Sequence, residues 1–353
     1  MKAVININAS LLIFILSLAT LSFAGEEGTA SVERRFTVMG TSLVITVEAV
    51  DRPTALAASE RAIRALIETE ARLSTWRKDT ELARFNRSKV GVPFELSEEL
   101  ASELQTAGYW CRVTEGAFDP AIGLLVEAWG LRTGGRIPEL SERQAALRYG
   151  GMDSLKLTGR KAVRPHRGFR IEEGGFGKGA GLDNALESVA GKGVIRATLD
   201  LGGQVAVMGT GEPFYFGVAS PRERERPVLR IMIDRGALAT TGNSERSIEV
   251  DGVRYSHVLD PRSGDSKVDF GTLTIWAEDS ITADCLSTGL YVMGPEQALV
   301  WASNWPGVEA LVLEPDTEGF RARATMGLTG RFRDLDEQVD LEFFPRFERQ
   351  IIE

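Results

Sequence analysis

The chain has 353 residues and a formal net charge of −9, because 41 lysines and arginines are outnumbered by 50 aspartates and glutamates. Binding to nucleic acid depends on clusters of basic residues that displace counterions, so this interspersed, acidic charge pattern argues against a general nucleic-acid binder. Hydrophobic residues at 43% and charged residues at 26% exclude disordered and fibrous classes and indicate an ordinary globular protein.

The N-terminal residues have the pattern of a secretory signal peptide. Lys2 precedes an apolar run from Leu11 to Ala19, and the small-residue pattern Ser22-Phe23-Ala24 follows. A transmembrane anchor is the alternative, but the apolar run is shorter than the about 20 residues that a bilayer-spanning helix needs. We therefore predict a signal peptide over residues 1–24, a linker over residues 25–33, and an exported mature chain without a transmembrane span.

The first predicted elements are a strand and two helices. Alternating apolar and polar residues from Ser42 to Val50 predict a half-buried strand. A long amphipathic helix is predicted from about Pro53 to Leu73, and a second helix from Glu98, capped by Ser97, to about Thr114. The polar stretch between them, Ser74 to Val92, indicates an exposed loop. The apolar face predicted for the first helix consists of Ile63, Leu66, Ile67 and Ala71.

Strands dominate from Leu155 onward, with the spacing of hairpins. The predicted strands are Leu155–Thr158, Phe169–Glu172, Arg196–Leu201, Phe214–Ala219, Val228–Asp234, Tyr255–Leu259 and Leu273–Ala277. Two helices are predicted among and after them, Gly181–Val189 and Ser280–Met293, and Gly294-Pro295 ends the second. The pattern predicts an α+β fold with a largely antiparallel sheet, folded as one unit with two lobes.

Cysteine and histidine are scarce. Cys111 and Cys285 allow one disulfide or none, and we expect two buried thiols in separate helices rather than a bridge. With only His166 and His257 in addition, a Cys/His zinc site is nearly unbuildable. Any metal is therefore expected to be a hard cation held by oxygen ligands.

The glycine-rich segment Gly174–Gly181 follows a predicted strand and precedes a predicted helix. It satisfies the loose dinucleotide pattern Gly175-x-Gly177-x-x-Ala180, and amides at a helix N-terminus bind phosphate well. The surrounding strands look antiparallel rather than βαβ, which disfavours a Rossmann fold. A phosphate contact of another kind, with Lys178 as the cation, and a tight turn without a ligand are the other interpretations.

Several polar residues stand in otherwise apolar segments. Asp284 and Thr288 are four residues apart, so they share a helix face and can present two oxygens to Mg²⁺, although such a pair is more often a solvated helix face. Thr241, His257 and Asp260 fall within one predicted hairpin. A lone histidine on a strand is usually a packed residue, and its alternative role is that of a general base. Asp260 can equally begin a turn.

Together these segments resemble the ApbE-type flavin transferases, the FAD:protein FMN transferases. The resemblance extends from about Arg34 to Leu313 and rests on nine short blocks in one order. They are Met39-Gly40-Thr41, SxWxxDTELxRxN from Ser74, GAFDP from Gly116, WG at Trp129, GKGxGxD from Gly177, LDLGG from Leu199, ATTG from Ala239, HVLDPRSG from His257 and TADxLST from Thr282.

The resemblance implies an α+β fold with FAD in a cleft between two lobes and Mg²⁺ at its pyrophosphate. It implies that the FMN half of FAD passes to a Thr, or sometimes a Ser, hydroxyl of an acceptor protein while AMP leaves. Acceptors of the family include periplasmic-side subunits of electron-transport complexes, so a periplasmic location is expected. The transferase domain would span residues 34–326, and the tail, residues 327–353, has no assigned role.

The resemblance also implies a metal site and a catalytic pair. Asp284 and Thr288 would hold Mg²⁺ together with a backbone carbonyl of the glycine-rich segment, for which we take Ala180. His257 would accept the proton of the acceptor hydroxyl. Asp260 would orient His257 or replace it.

Five further residues are implied to bind FAD. Met39 and Trp76 would contact the isoalloxazine ring, and Asp119 would bind the adenosine part. Lys178 and Thr241 would lie near the phosphates. Some positions differ from residues common in the family, namely Ala121, Glu172-Glu173, Ala180-Gly181, Ser256 and Cys285.

Other functions use the same residues. One is Mg²⁺-dependent hydrolysis of FAD to FMN and AMP, with water in the place of the acceptor hydroxyl. Another is a periplasmic flavin-binding protein with little turnover, against which the presence of Asp284, Thr288 and His257 counts. A NAD-linked dehydrogenase depends only on the loose glycine pattern.

Overall fold

The computed structural model describes residues 28–223, 226–242, 247–250 and 252–345. The predicted signal peptide, residues 1–24, lies outside these ranges. Among the described helices, none is both long enough and apolar enough to cross a membrane.

The described ranges contain eight α-helices and seventeen β-strands. The helices are α1 (Arg52–Leu73), α2 (Glu81–Asn86), α3 (Glu98–Val113), α4 (Gly123–Ala128), α5 (Leu140–Tyr149), α6 (Gly177–Val189), α7 (Ser280–Met293) and α8 (Pro295–Ser303). The strands are β1 (Ala30–Val38), β2 (Thr41–Ala49), β3 (Pro93–Glu95), β4 (Lys156–Thr158), β5 (Lys161–Val163), β6 (Val194–Leu201), β7 (Gln204–Gly209), β8 (Phe214–Ala219), β9 (Pro227–Ile233), β10 (Gly236–Gly242), β11 (Ser247–Val250), β12 (Val253–Ser256), β13 (Thr272–Ala277), β14 (Val308–Pro315), β15 (Phe320–Thr325), β16 (Phe332–Arg333) and β17 (Val339–Phe344).

A nine-stranded sheet forms the centre of the fold, in the order β1-β2-β6-β7-β10-β13-β14-β15-β17. Neighbouring strands are antiparallel except β15 and β17, which run parallel. The smaller sheets have the orders β16-β9-β8, β3-β5-β4 and β11-β12. The predicted α+β class with a largely antiparallel sheet is confirmed.

The central sheet buries side chains on both faces. Because successive side chains of a strand point to opposite faces, β14 places Ala310 and Val312 in one core and Leu311 and Leu313 in another. Helices α1, α6 and α7 cover the first face. The sheet of β8, β9 and β16 covers the second through residues such as Ile231.

A smaller hydrophobic cluster joins α4 and α5 to the β11–β12 hairpin. Its buried members are Leu125, Trp129, Ala146, Ile248 and Leu259. Trp129 also donates a hydrogen bond from Nε1 to the carbonyl oxygen of Gly264 at 2.8 Å. The WG block thus fixes the turn that ends the HVLDPRSG block.

The register of the central sheet brings several predicted blocks together at one end of its strands. Leu43 pairs with Leu201, and the turn Gly202-Gly203 leads directly into β7. Leu238 pairs with Val205, so the C-terminal end of β10 extends toward the same end of the sheet as this turn. The Met39-Gly40 turn, the Gly202-Gly203 turn and the ATTG block therefore lie side by side.

Most predicted elements are confirmed, including the strands now assigned to β2, β6, β8, β9 and β13 and the helices α3 and α7. Three predictions are wrong. The segment Phe169–Glu172 is irregular, and the strand predicted over Tyr255–Leu259 ends at Ser256. The loop predicted over Ser74–Val92 contains α2, whose Leu82 and Phe85 are fully buried.

Two helices differ from their predictions in detail. Helix α6 begins at Gly177 rather than Gly181, so the glycine-rich segment forms its first turn. No strand lies directly before α6, since residues 164–176 contain none, and β6 and β7 after it are antiparallel, so the Rossmann interpretation, which the sequence already disfavours, is wrong. In α1, Ile63 and Leu66 are buried as predicted, but Ile67 is 44% exposed and Ala71 is also exposed.

The predicted domain boundaries do not match the strands. β1 begins at Ala30, inside the predicted linker over residues 25–33, because its residues pair with β2 from Ala30 opposite Ala49 onward. β16 and β17 lie in the predicted tail over residues 327–353, and β17 pairs with β15 at the far edge of the central sheet. Residues 30–33 and 339–344 are therefore part of the central sheet. Cys111 in α3 and Cys285 in α7 are buried free thiols, as expected.

Two helical glycines should respond to alanine with opposite signs. A Cβ added at Gly108 would meet its nearest atom, Arg112 Nη1, at 3.6 Å, an ordinary contact, whereas one added at Gly289 would lie 2.6 Å from Phe118 Cβ. Gly108→Ala should raise the free energy of unfolding by about 0.5–1 kcal/mol through helix propensity. Gly289→Ala should lower it by about 1–3 kcal/mol through overpacking. Guanidinium unfolding of both variants checks this, and equal signs would contradict the packing described here.

Candidate active site

The start of α6 lies against the start of α7. A Cβ at Gly179 would lie 2.7 Å from Ile281 Cα, so only glycine permits this approach. The backbone N–H of Gly179 donates to Oδ2 of Asp284 at 2.9 Å. The glycine-rich segment therefore lies against the TADxLST block.

Asp284 is a buried carboxylate with neutral hydrogen-bond donors. It is 2% exposed, and its Oδ1 accepts a hydrogen bond from Gln204 Nε2 at 2.6 Å. Burial raises the pKa of Asp284, while the charge of nearby Lys178 and the hydrogen bonds oppose that rise. Gln204 was not among the predicted site residues, although it directly follows the LDLGG block.

Thr288 lies one turn beyond Asp284, next to the loop that leads into α6. A Cβ at Gly175 would lie 3.3 Å from Thr288 Oγ1 and 3.0 Å from Phe118 Cε2. Ala180, by contrast, lies within α6, where its N–H donates to the carbonyl of Phe176 at 2.9 Å. Carbonyls within a helix accept hydrogen bonds from the following turn. Gly175 therefore lies beside Thr288, and the carbonyl of Ala180 as a metal ligand stays a prediction.

These residues fit a hard divalent cation. A carboxylate, a hydroxyl and a backbone carbonyl are ligands that Mg²⁺ accepts. Gln204 Oε1 is buried, and among the described residues it has no hydrogen-bond partner, so a cation-bound water would satisfy it. Within the same ranges, no three His, Cys, Asp or Glu side chains form a metal-binding group. The coordination would therefore have to be completed by a ligand such as phosphate.

The hydroxyl groups of Thr241 and Ser287 link the end of β10 to α7. They lie 2.9 Å apart, and Ser287 Oγ donates to the carbonyl oxygen of Asp284 at 3.0 Å. Lys178 lies in the first turn of α6, half-buried, where its charge acts on Asp284. Thr241 and Lys178 are thus brought to the Asp284 cluster.

Met39 reaches the same place from the β1–β2 turn. Met39 and Gly40 have φ values of 53° and 72°, as expected for a two-residue type I′ hairpin turn. A Cβ at Gly181 would lie 2.9 Å from Met39 Sδ, so the Met39 side chain lies on the first turns of α6. Thr41 packs over Gly202, which has no side chain to obstruct it.

Trp76 lies at the surface beside the glycine-rich segment. Its side chain is 63% exposed, and the guanidinium carbon of Arg132 lies 4.7 Å from its ring centroid. The neighbouring Thr75 N–H donates to Glu173 Oε1 at 3.1 Å. Glu173 directly precedes Gly174, so Thr75, the residue before Trp76, is tied to the loop that leads into α6.

Asp119 accepts hydrogen bonds from nearby backbone N–H groups. It accepts hydrogen bonds from the N–H groups of Ala121 at 2.7 Å and Met152 at 3.0 Å. Burial raises the pKa of Asp119, and these amide hydrogen bonds oppose that rise. The contacts give Asp119 a structural role, and its contact with adenosine stays a prediction.

Asp260 is held by two cations. It is 7% exposed, and Arg262 donates to both of its oxygens at 3.0 Å, with Lys267 at 3.7 Å. Burial acts to raise the pKa of Asp260, but the hydrogen bonds and charge of Arg262 outweigh it and hold the pKa below its usual value. A weakly basic carboxylate is a poor proton acceptor, so the structure disfavours Asp260 as a substitute for half-buried His257.

Asp183, the last residue of the GKGxGxD block, was not predicted to have a role. Its carboxylate accepts hydrogen bonds from the N–H groups of Ser280 at 2.7 Å and Ile281 at 2.9 Å. It therefore caps α7 from α6, in addition to the N-cap side chain of Asp279. Burial raises the pKa of Asp183 to about 6 despite these hydrogen bonds.

Comparisons with known proteins found similar sequences and structures. Residues 39–312 match the family model described as the ApbE family. The chain is 30% identical to the FAD:protein FMN transferase of Vibrio cholerae over 74% of this chain and 80% of that protein. It is 29% identical to the FAD:protein FMN transferase of Treponema pallidum over 81% and 84%. The crystal structure of an ApbE protein from Thermotoga maritima matches with a TM-score of 0.72 and 30% identity, covering 80% of this chain and 94% of that one.

The raised pKa of Asp183 predicts a pH-dependent contribution to stability. Because the pKa of Asp183 is about 6 in the folded state and 3.8 for an ordinary aspartate, the folded state binds more protons between these values, and stability falls as pH rises through them. The contribution is roughly 3 kcal/mol, fully present below about pH 4 and lost above about pH 6.

Asp183→Asn has no such titration, so its unfolding free energy relative to the wild type should rise by roughly this amount between pH 4 and pH 7. Guanidinium unfolding across this range measures the difference. A difference that does not change with pH would contradict the prediction.

Proposed function

This chain belongs to the ApbE family, and we propose that it transfers the FMN half of FAD to a Thr or Ser hydroxyl of an acceptor protein with release of AMP. The observation that carries the proposal is the junction of α6 and α7. There a buried carboxylate, Asp284, and a hydroxyl, Thr288, lie beside a helix N-terminus that can bind phosphate.

Transfer at a pyrophosphate needs charge neutralisation and in-line positioning more than covalent help from the protein. Asp284 and Thr288 would hold Mg²⁺, with a carbonyl of the glycine-rich loop beside them. When bound there, Mg²⁺ supplies positive charge next to the pyrophosphate oxygens. Lys178 supplies a permanent positive charge from the first turn of α6, and its effect on Asp284 supports a position at the phosphates.

The proton of the acceptor hydroxyl is assigned to His257. A histidine suits this step because its usual pKa lies near neutral pH. Asp260 is neutralised by Arg262 and Lys267, so it serves to hold the turn rather than to take the proton. Trp76 and Met39 flank the glycine-rich segment and would contact the isoalloxazine ring.

The place of action follows from the predicted signal peptide. We propose that the mature chain acts in the periplasm, on an acceptor that exposes a Thr, such as a subunit of an electron-transport complex. Export of FAD or its supply in that compartment is then required, since the chain uses FAD as a substrate.

The proposed function is tested by mixing the purified protein with FAD, Mg²⁺ and a candidate acceptor domain that carries a Thr-containing flavinylation motif. The acceptor should gain the mass of one FMN phosphoester, and AMP should appear in equal amount. The acceptor with that Thr replaced by Val should gain nothing. AMP with free FMN and no mass gain would indicate hydrolysis, and the absence of both products would indicate a flavin-binding protein.

Asp284→Ala should abolish the response to metal while the fold survives. Mg²⁺ at about 100 times its dissociation constant should raise the unfolding free energy of the wild type by about 2.7 kcal/mol and leave the variant unchanged. The rate of AMP release should fall on the order of 100-fold or more. Asp269→Ala is the matched control, because Asp269 binds Tyr291 and Gly271 near the other end of α7. A metal response retained by Asp284→Ala would contradict the ligand assignment.

A further inference from the structure

Trp76 is an exposed aromatic residue whose ring is nevertheless fixed. The guanidinium of Arg132 lies 4.7 Å from the ring centroid, within the range of a cation–π contact. Arg132 can cover only one face of the indole ring, and the Trp76 side chain is 63% exposed. The ring therefore has one supported face and one face open to solvent.

Arg132 is itself anchored on its polar edge. Its Nη1 donates to the carbonyl oxygen of Thr75 at 3.0 Å, and its Nη2 bonds both the Thr75 hydroxyl and the Glu172 carboxylate. The side chains of Arg132 and Glu172 are only 29% and 16% exposed. A planar guanidinium can make these bonds along its edge and still stack on a ring, which an ammonium group cannot do.

These contacts join three segments that the chain separates widely. Arg132 follows the WG block, Thr75 and Trp76 belong to the block from Ser74, and Glu172 precedes the glycine-rich segment. Next to Glu172, Glu173 accepts the hydrogen bond from Thr75 N–H, and its Cβ would lie 3.2 Å from a Cβ at Gly177. The supported ring thus lies at the edge of the segment that would bind the FAD phosphates.

We propose that Arg132 is a positioning residue that holds the open face of Trp76 in place to stack on the isoalloxazine ring of FAD. The inference rests on the proposed function, since it names how that substrate is held. Aromatic stacking is favourable for a planar ring presented in a fixed orientation. Neither Arg132 nor its support by Glu172 follows from the blocks on which the family resemblance rests.

The alternative is that Arg132 only stabilises the local fold through its ion pair with Glu172. A double-mutant cycle separates the two, because a residue that acts through Trp76 loses its effect when Trp76 is absent. The variants are Arg132→Ala, Arg132→Lys, Trp76→Ala and Arg132→Ala combined with Trp76→Ala. Arg136→Ala is the control, since Arg136 is in the same loop and pairs with exposed Glu142.

KM for FAD and kcat are measured from AMP release, and the dissociation constant for FAD is measured by calorimetry. Arg132→Ala should raise both KM and the dissociation constant about tenfold with kcat within twofold, because stacking on the flavin ring contributes to binding rather than to the transition state. Arg132→Lys should fall between Arg132→Ala and the wild type. The double variant should be no worse than Trp76→Ala, and Arg136→Ala should match the wild type.

Binding also has a spectroscopic readout, since stacking on indole perturbs the visible absorbance of the flavin. The perturbation should be present in the wild type, reduced in Arg132→Ala and absent in Trp76→Ala. An Arg132→Ala effect that is equally large without Trp76, or no effect at all, would overturn the inference while leaving the proposed function intact. If the wild type itself neither binds nor cleaves FAD, the proposed function fails, and this inference fails with it.

Discussion

The close approach of the first turn of α6 to the first turn of α7 is the constraint on which the site depends. It is possible only because Gly179 lacks a side chain, and it lets each helix serve the other. Asp183 of α6 binds the backbone N–H groups at the start of α7, while Asp284 of α7 binds the N–H of Gly179. Two positive helix ends are thus compensated by carboxylates within one small volume.

The central sheet brings the other site residues to that junction. In an antiparallel sheet the end of one strand and the start of the next lie at the same end of the sheet. The pairing of Leu43 with Leu201 therefore places the Met39-Gly40 turn beside the Gly202-Gly203 turn. At this end of the sheet, the Met39 side chain contacts α6 and the Gln204 side chain binds Asp284 of α7. A block such as LDLGG therefore has a geometric purpose, because its turn delivers Gln204 to Asp284.

Sequence periodicity located β2, β6, β8, β9 and β13 and the long helices α1, α3 and α7, since each buries a regular face, but it did not locate β1, β7, β10, β14, β15 and β17. Periodicity failed where buried residues lie outside regular secondary structure. Phe169 and Ile171 are fully buried, and the apolar pattern resembled a strand, yet Ile171 pairs its N–H and carbonyl with the Asn86 side chain instead of a neighbouring strand. Helix α2 was missed because it is six residues long and only its N-cap, Thr80, identifies it. Likewise the blocks located Asp284 and Thr288, but the supports Gln204, Asp183 and Arg132 depend on tertiary contacts that no local pattern records.

The buried carboxylates of the described residues differ in the cations that surround them. Three acidic residues among the described ranges are less than 9% exposed, namely Glu103, Asp260 and Asp284. Glu103 pairs with Arg72 and Asp260 with Arg262, so each has a cation in direct contact. Asp284 accepts hydrogen bonds from the Gln204 amide and the Gly179 N–H, and Lys178 is the cation whose charge acts on it. Burying a charge is costly, and burial raises the pKa of Asp284 more than the charge of Lys178 and the hydrogen bonds lower it. The fold therefore holds a buried carboxylate at the junction of α6 and α7, where the proposed divalent ion would add positive charge, and this links the packing of two helices to the proposed chemistry.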